Sequence, residues 1–515
     1  MITSSPAQPI TFPSPGFLGL NKEKEQSVLT PEWATEAQNA VVDSAGRLAA
    51  RKGYTVLTTT AATGTPTFDV VHEYVQSNST VSLIAAGGNK LWESSNSGAT
   101  WTDRTGTLSI TDDNWQFTDF NNKVIGIMPT TGLTRKTTGS FATFVGLCTG
   151  SPPTDPIACL SAFGRLWLLT KTSLYWCGLL DETKWASADG GGVQDLNYLW
   201  TRGQDEGVAI AAFGSTLVVF GKRHIILFAD GSGSDRGLDP TSMYVGDTLE
   251  NVGCMARDSV QPLGEGDLIF LSQNGVSSLS RTIQEKSYPY NNLSSNNRQY
   301  VTKIFLDSTV NRSKIRAVSS PEEGMYLLIS PDSHTTLCMD IRRPMEDGTF
   351  RITEWPGHVA VSACRNSAGS LLFGLPSGKI GKYYGYLDDT LTYRFVFRSG
   401  WLDLGPDQNP VLKILKRVKL IAFSPAGVTA TVKWFFDFKR DFGWNQITYP
   451  SDGTDEYGVG QWGTAEYSGG ISQRIDYVPG SLSGQFLLLG IEVEINNKPF
   501  AVQSMTAYYV PGRLA

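Results

Sequence analysis

The residue types able to do chemistry are sparse here, and their spacing argues against most chemistries. Four histidines, His72, His224, His334 and His358, lie too far apart for a metal centre or a nucleophilic triad. Six cysteines, Cys148, Cys159, Cys177, Cys254, Cys338 and Cys364, form no C-x-x-C pair, and several sit inside apolar runs, which reads as buried small hydrophobes. H-E-x-x-H, Walker and G-x-S-x-G patterns do not occur. The acidic doublets Asp112-Asp113, Glu322-Glu323 and Asp388-Asp389 fall at turns, where solvation is their ordinary role; a paired-carboxylate glycosidase is the enzymatic alternative. No catalytic residue, cofactor or metal is expected.

Three further constellations carry structural or binding readings. Ser94-Ser-Asn-Ser-Gly-Ala-Thr-Trp101 matches the Asp-box pattern with Asn96 in the Asp position. In that reading the Asn96 side chain ties down a turn, Gly98 reverses the chain and Trp101 packs beneath, so Ser94, Asn96, Gly98 and Trp101 form a fold element. A sialidase would also need an Arg-Ile-Pro arginine, which is missing. Lys413-Ile-Leu-Lys-Arg-Val-Lys419, read as a regular strand, points Lys413, Leu415, Arg417 and Lys419 one way. That face is either a solvated, edge-guarding stripe or a contact with nucleic acid or an acidic subunit. Finally, Arg47, Arg51 and Lys52 cluster near Asn39 in a chain of net charge −6, a segment suited to docking on an acidic partner. The net charge itself disfavours a protein built to grip nucleic acid.

The elements that would position these residues are β-strands. Five hairpins of one design open at Leu166, Leu217, Leu268, Tyr326 and Leu371, each an apolar run, a short turn rich in Gly, Pro, Asn or Ser, and a second run. The steps are 51, 51, 58 and 45 residues. Weaker copies at Lys90 and Lys123 bring the candidate units to seven over residues 65–390. A period near 50 residues in an all-β chain predicts a β-propeller of six to seven units. Residues 1–60 form an arm with a short helix opening at Thr30-Pro-Glu and a hairpin turning at Gly46; the competing reading makes the segment the propeller's closing strand. Residues 392–515 lose the period, and the alternation of Val428, Ala430, Val432 and Trp434 predicts a C-terminal β-sandwich. The domains are therefore 1–60, 61–391 and 392–515. The stretches Phe442-Gly-Trp and Tyr457-Gly-Val-Gly-Gln-Trp read as aromatic loops in need of a partner, and Ser287-Tyr-Pro-Tyr as a long loop. The start of the chain lacks signal-peptide character, and no apolar run is long enough to span a membrane.

The order of short motifs resembles one family. Gly16-Phe-Leu-Gly-Leu-Asn, Ala37-Gln-Asn-Ala, Gly46-Arg-Leu and Arg51-Lys-Gly-Tyr come first. Gln116-Phe-Thr-Asp-Phe-Asn-Asn-Lys-Val, Phe163-Gly-Arg-Leu-Trp-Leu, Val252-Gly-Cys-Met-Ala-Arg-Asp-Ser-Val and Ser399-Gly-Trp-Leu-Asp-Leu-Gly come after them. Together they resemble the tail nozzle proteins of short-tailed bacteriophages, also called tail tube or head-completion stabilisation proteins. The resemblance implies a virion tail protein, made in the host cytoplasm, six copies of which ring the tail axis. It further implies an adaptor ring on the head side, tail fibre or tailspike neighbours, and genomic DNA passing through the lumen without tight binding. A receptor- or glycan-binding propeller module is the alternative.

Overall fold

The computed structural model describes all residues except 1–6, 138, 202, 233–237, 265, 287–291, 404–411, 426, 450–471 and 513–515. The Tyr457–Trp462 loop and most of the Ser287 stretch lie outside the described residues.

The apolar runs become the middle strands of small antiparallel sheets. In the fourth sheet, Gly207–Phe213, Thr216–Gly221, His224–Asp230 and Met243–Glu250 succeed one another in order. Its second strand is apolar at every step from Leu217 to Phe220 because both of its faces are buried there. Leu217 and Val219 pack with Trp167 and Leu169 of the preceding sheet. Val218 and Phe220 pack with Leu268 and Phe270 of the next one. A strand between two neighbours needs a continuous apolar run, not alternation. The same division of odd and even residues recurs around the molecule, and the last core joins Leu372 and Ile380 back to Leu83, Ala85 and Trp92 of the first sheet. The result is a closed β-propeller, with six four-stranded blades and one three-stranded unit, Gln261–Leu263, Asp267–Ser272 and Gly275–Ser278. The helix Leu279–Glu285 comes directly after that shorter unit.

The ring is closed by the early part of the chain. Tyr54–Val56 pairs with Lys379–Tyr383 as the outer strand of the last blade. The Lys90 hairpin is out of phase with the others: Leu91–Ser94 is a third strand and pairs with the short fourth strand Thr102–Asp103.

The remaining strands build a sandwich from both ends of the chain. One sheet runs Ser472–Pro479, Lys413–Ser424, Ala501–Pro511, Leu48–Ala50 and Ala40–Val42, with Gln8–Pro13 also on Ala501–Pro511. The other runs Trp33–Gln38, Tyr393–Ser399, Phe486–Ile495, Thr429–Phe436 and Phe442–Thr448. Their inner faces share one core containing Phe12, Leu48, Phe397, Leu420, Trp434, Ile491 and Met505. Residues 8–50 are therefore part of this sandwich, not a free arm.

The helix expected after Thr30 is a strand, Trp33–Gln38. Its local start signals are those of a helix, but Tyr393–Ser399 offers an antiparallel partner and buries Ala34 and Ala37 in the sandwich core. Tertiary pairing outweighs the weak local preference. This strand also meets the outer strand of the sixth blade, Arg351–Pro356, through a parallel bridge between Gln38 and Glu354. One hydrogen-bonded sheet thus runs from propeller into sandwich.

Candidate functional site

The Asp-box residues form the expected turn. The Ser94 hydroxyl donates to Asn96 Oδ1 (2.8 Å) and accepts from the Gly98 N–H (2.9 Å), and Asn96 Oδ1 also accepts from the Thr100 N–H (3.0 Å). Gly98 lies at φ +90°, where a side chain is strained. Trp101 is half-buried against Phe68, ring centroids 4.7 Å apart. The turn is also tied to the closing segment, because Thr58 Oγ1 donates to the Gly98 carbonyl (2.8 Å). It is a ring-closing joint between first and last blades.

Two of the docking residues belong to the interior. Arg51 is 1% exposed. Its guanidinium binds Asp388 through both terminal nitrogens (2.8 and 2.6 Å), donates from Nε to Asn39 Oδ1 (2.9 Å), and lies over the Tyr393 ring. Burial by itself lowers a guanidinium pKa, but the Asp388 carboxylate outweighs it and the Arg51 pKa is raised. Asn39, buried and at φ +51°, donates to the Arg394 carbonyl (2.8 Å). Both are removed from the docking surface for a physical reason: their polar groups are buried and engaged within the chain, out of a partner's reach. Arg47 and Lys52 are more accessible, paired with Asp43 (2.7 Å) and Glu323 (2.7 Å). They line a cleft of about 420 Å3 between propeller and sandwich, together with Arg342, Phe423 and Tyr386.

The basic strand is central, flanked by Ser472–Pro479 and Ala501–Pro511, so it guards no edge. A bulge between Leu415 and Arg417 also breaks the expected alternation. Lys413 and Leu415 point inward; Lys413 is buried and pairs with Asp403 (3.2 Å). Lys416, Arg417 and Lys419 reach the outer side. Arg417 stacks over Tyr477 and Tyr508, 4.9 and 4.4 Å from the ring centres. Lys413 thus leaves the contact set, while Arg417 and Lys419 stay.

A second charged centre has no counterpart among the sequence motifs. It sits where the innermost strands enter the propeller. Arg257 and Arg316 both bind Asp258, at 2.9 and 3.0 Å. Arg257 also donates to the carbonyls of Ile157 and Trp115 (3.0 Å each) and to Asn114 Oδ1 (2.9 Å). Arg316 donates to the Asp69 carbonyl (3.0 Å). Five blades are thereby fastened to one another through a single charged hub. Burial alone would raise the Asp258 carboxyl; Arg257 and Arg316 overcome that and hold it low. Burial, with Asp113 adding repulsion, pushes the nearby Asp69 up to about 6. The available signal is positional: Asp69, Asn114, Arg257-Asp258 and Arg316 each stand just before an innermost strand or at its start.

Above this hub lies a cavity of about 350 Å3. Lys171 and Lys222 reach it from turns of the third and fourth blades, and Arg312 from the segment before the sixth. Glu206 stands between the lysines, 2.8 Å from Lys222 and 3.9 Å from Lys171. Elsewhere, His224 and His358 are buried, His224 against Asp205 (3.1 Å) and His358 among Trp355, Tyr54 and Phe373. All six cysteines are free thiols. Among the described residues no cluster of His, Cys, Asp or Glu is arranged to hold a metal, and no helix is long and apolar enough to cross a membrane.

No family model and no curated protein sequence matches the chain. Similar solved structures include YCF48 bound to a D1 peptide, 14% identical, TM-score 0.37, covering 63% of this chain and 93% of that one. PorZ, a surface component of the type-IX secretion system of Porphyromonas gingivalis, is 11% identical with TM-score 0.38 and covers 75% of this chain; the match spans 46% of PorZ, about half its length. The AfRom2 CNH domain is 9% identical with TM-score 0.36, covering 64% of this chain and 98% of that domain.

Proposed function

We propose that this propeller protein is a structural subunit of a short-tailed bacteriophage, a tail nozzle whose copies ring the tail axis, extend the portal and adaptor channel, retain packaged DNA and conduct it at ejection. The observation that carries this reading is an apolar edge of the sandwich that no strand among the described residues pairs with. Phe442–Thr448 is the last strand of its sheet, and Phe442 and Trp444 are 45% and 57% exposed. Ile475 and Tyr477 are exposed on Ser472–Pro479, the last strand of the other sheet. Open edges with large apolar side chains are what a soluble monomer avoids and an assembly subunit uses. The ordered motifs from Gly16 to Gly405 favour the same reading.

The Arg257–Asp258–Arg316 hub adds a constraint. The hub ties the innermost strands of five blades together within one copy, so the lumen in this reading lies between copies. A net charge of −6 per copy keeps phosphate contacts few, which suits passage over capture. The adaptor ring, and any tail fibre, would meet surfaces that include the Arg47–Lys52 cleft. Quantitative mass spectrometry of purified particles tests the proposal: several copies per particle are expected, and a Phe442→Asp/Trp444→Asp variant should fold yet yield particles that leak DNA. A single copy per particle, or DNA-tight particles carrying the variant, would overturn it.

A further inference from the structure

The axial cavity has features that assembly into a tail does not use, and its chemistry stands whether or not the chain is a nozzle subunit. Its lining holds four cations, Lys171, Lys222, Arg257 and Arg312, against two carboxylates, Glu206 and Asp258, an excess of two positive charges in a chain whose net charge is −6. Asp258 is already engaged by Arg257 and Arg316. The Asp69 and Asp112 carboxylates, which neighbour Arg316, do not line the cavity. Arg312 is exposed and has no acidic partner among the described residues.

Glu206 is the informative group. It is half-exposed and bridges Lys171 and Lys222, whose ammonium groups hold its carboxyl below the usual range. Exposed pairs of this kind are weak, so an incoming anion can share or replace the Glu206 contacts at little cost. Pro129, Ile157, Val208 and Met255, from four successive blades, add apolar surface to the lining that suits a small ring or a short carbon chain. The floor is fixed by the hub, so the donors are set before the ligand arrives. At about 350 Å3 the cavity is at the small end of ligand sites, which run from roughly 300 to 1,000 Å3.

We propose that this cavity binds a small ligand bearing a carboxylate or phosphate oxyanion, held by Lys171, Lys222 and Arg312. The two sources of that chemistry, an acidic sugar and a phosphorylated polyol, are separable by experiment. Isothermal titration of the full chain with galacturonate and with glycerol 3-phosphate is the test, with galactose and glycerol as neutral controls. At least one anionic probe should bind, the neutral ones should not, and added salt should weaken the binding. Lys171→Ala, Lys222→Ala and Arg312→Ala should each weaken it about tenfold, as expected for loss of a charge-assisted contact. Glu206→Gln should tighten it, because the competing carboxylate is gone. These side chains are largely exposed, so melting temperatures should be unchanged, which separates lost binding from lost folding. Absence of binding by both anions at millimolar concentration would overturn the proposal. So would binding that survives the triple variant, or a Glu206→Gln variant that binds more weakly.

Discussion

Arg51 and Asp388, 337 residues apart in sequence, form a two-pronged ion pair at the junction of propeller and sandwich, with N···O distances of 2.8 and 2.6 Å and the Arg51 side chain 2% exposed. The pair closes a loop of chain that begins in the sandwich, passes around the ring of blades and returns. The Asn39 side chain steadies the guanidinium from the sandwich side, and Lys52-Gly-Tyr54 leads from it directly into the closing strand.

Removing one partner of such a pair strands the other. Arg51→Ala and Asp388→Ala should each destabilise the fold by about 3–5 kcal/mol, while the double variant should cost clearly less than the sum. A double-mutant cycle by chemical denaturation reads this directly. Additive losses would mean that the two residues are not coupled.

The Asp-box turn should act on stability alone. Trp101 is half-buried, so Trp101→Ala should cost about 2–3 kcal/mol, below the usual loss for a fully buried tryptophan. Binding at the axial cavity should track only the folded fraction. A Trp101→Ala chain with wild-type melting and lost ligand binding would assign the turn to a site instead.

Asp69 gives a pH signature. Its folded pKa of about 6 is above the unfolded value near 4, so the folded state favours the neutral acid. The associated stability is full below about pH 4, declines as pH rises, and is gone above about pH 6. Asp69→Asn should flatten the stability profile between pH 4 and 6 and be more stable than wild type at pH 7.5, by about 2 kcal/mol. Denaturation midpoints of the two proteins across this range check it, and parallel profiles would contradict it.

The basic strand should divide in two. Lys413 is buried against Asp403, so Lys413→Ala should lower stability by about 1–3 kcal/mol. Lys416→Glu and Lys419→Glu sit on the outer side and should change stability by no more than about 0.5 kcal/mol. Thermal denaturation of the three variants checks the division, and equal losses would remove it.

The propeller is legible because its signal is local and repeated. Leu217 to Phe220 are apolar at every step, and the same run returns at a near-constant spacing. Residue types mislead where a distant partner decides. Thr30 to Gln38 carries the start signals of a helix, and the strand that overrules them lies beyond residue 390. Arg51 looks like a surface cation until Asp388 is placed beside it. Regular alternation puts Lys413 and Arg417 on one face, and the one-residue bulge that separates them leaves no mark in the residue types. The axial hub draws single residues from five blades, so no short window of sequence contains it.

Class averages from cryo-electron microscopy of the native tail assembly would show whether copies of this chain ring a shared lumen. A closed ring of several copies around an axial hole is expected, with the exposed edge strand Phe442–Thr448 against a neighbouring copy and no DNA threaded through a single propeller. Single copies without a shared lumen, or Phe442 and Trp444 facing solvent in the assembled particle, would contradict it.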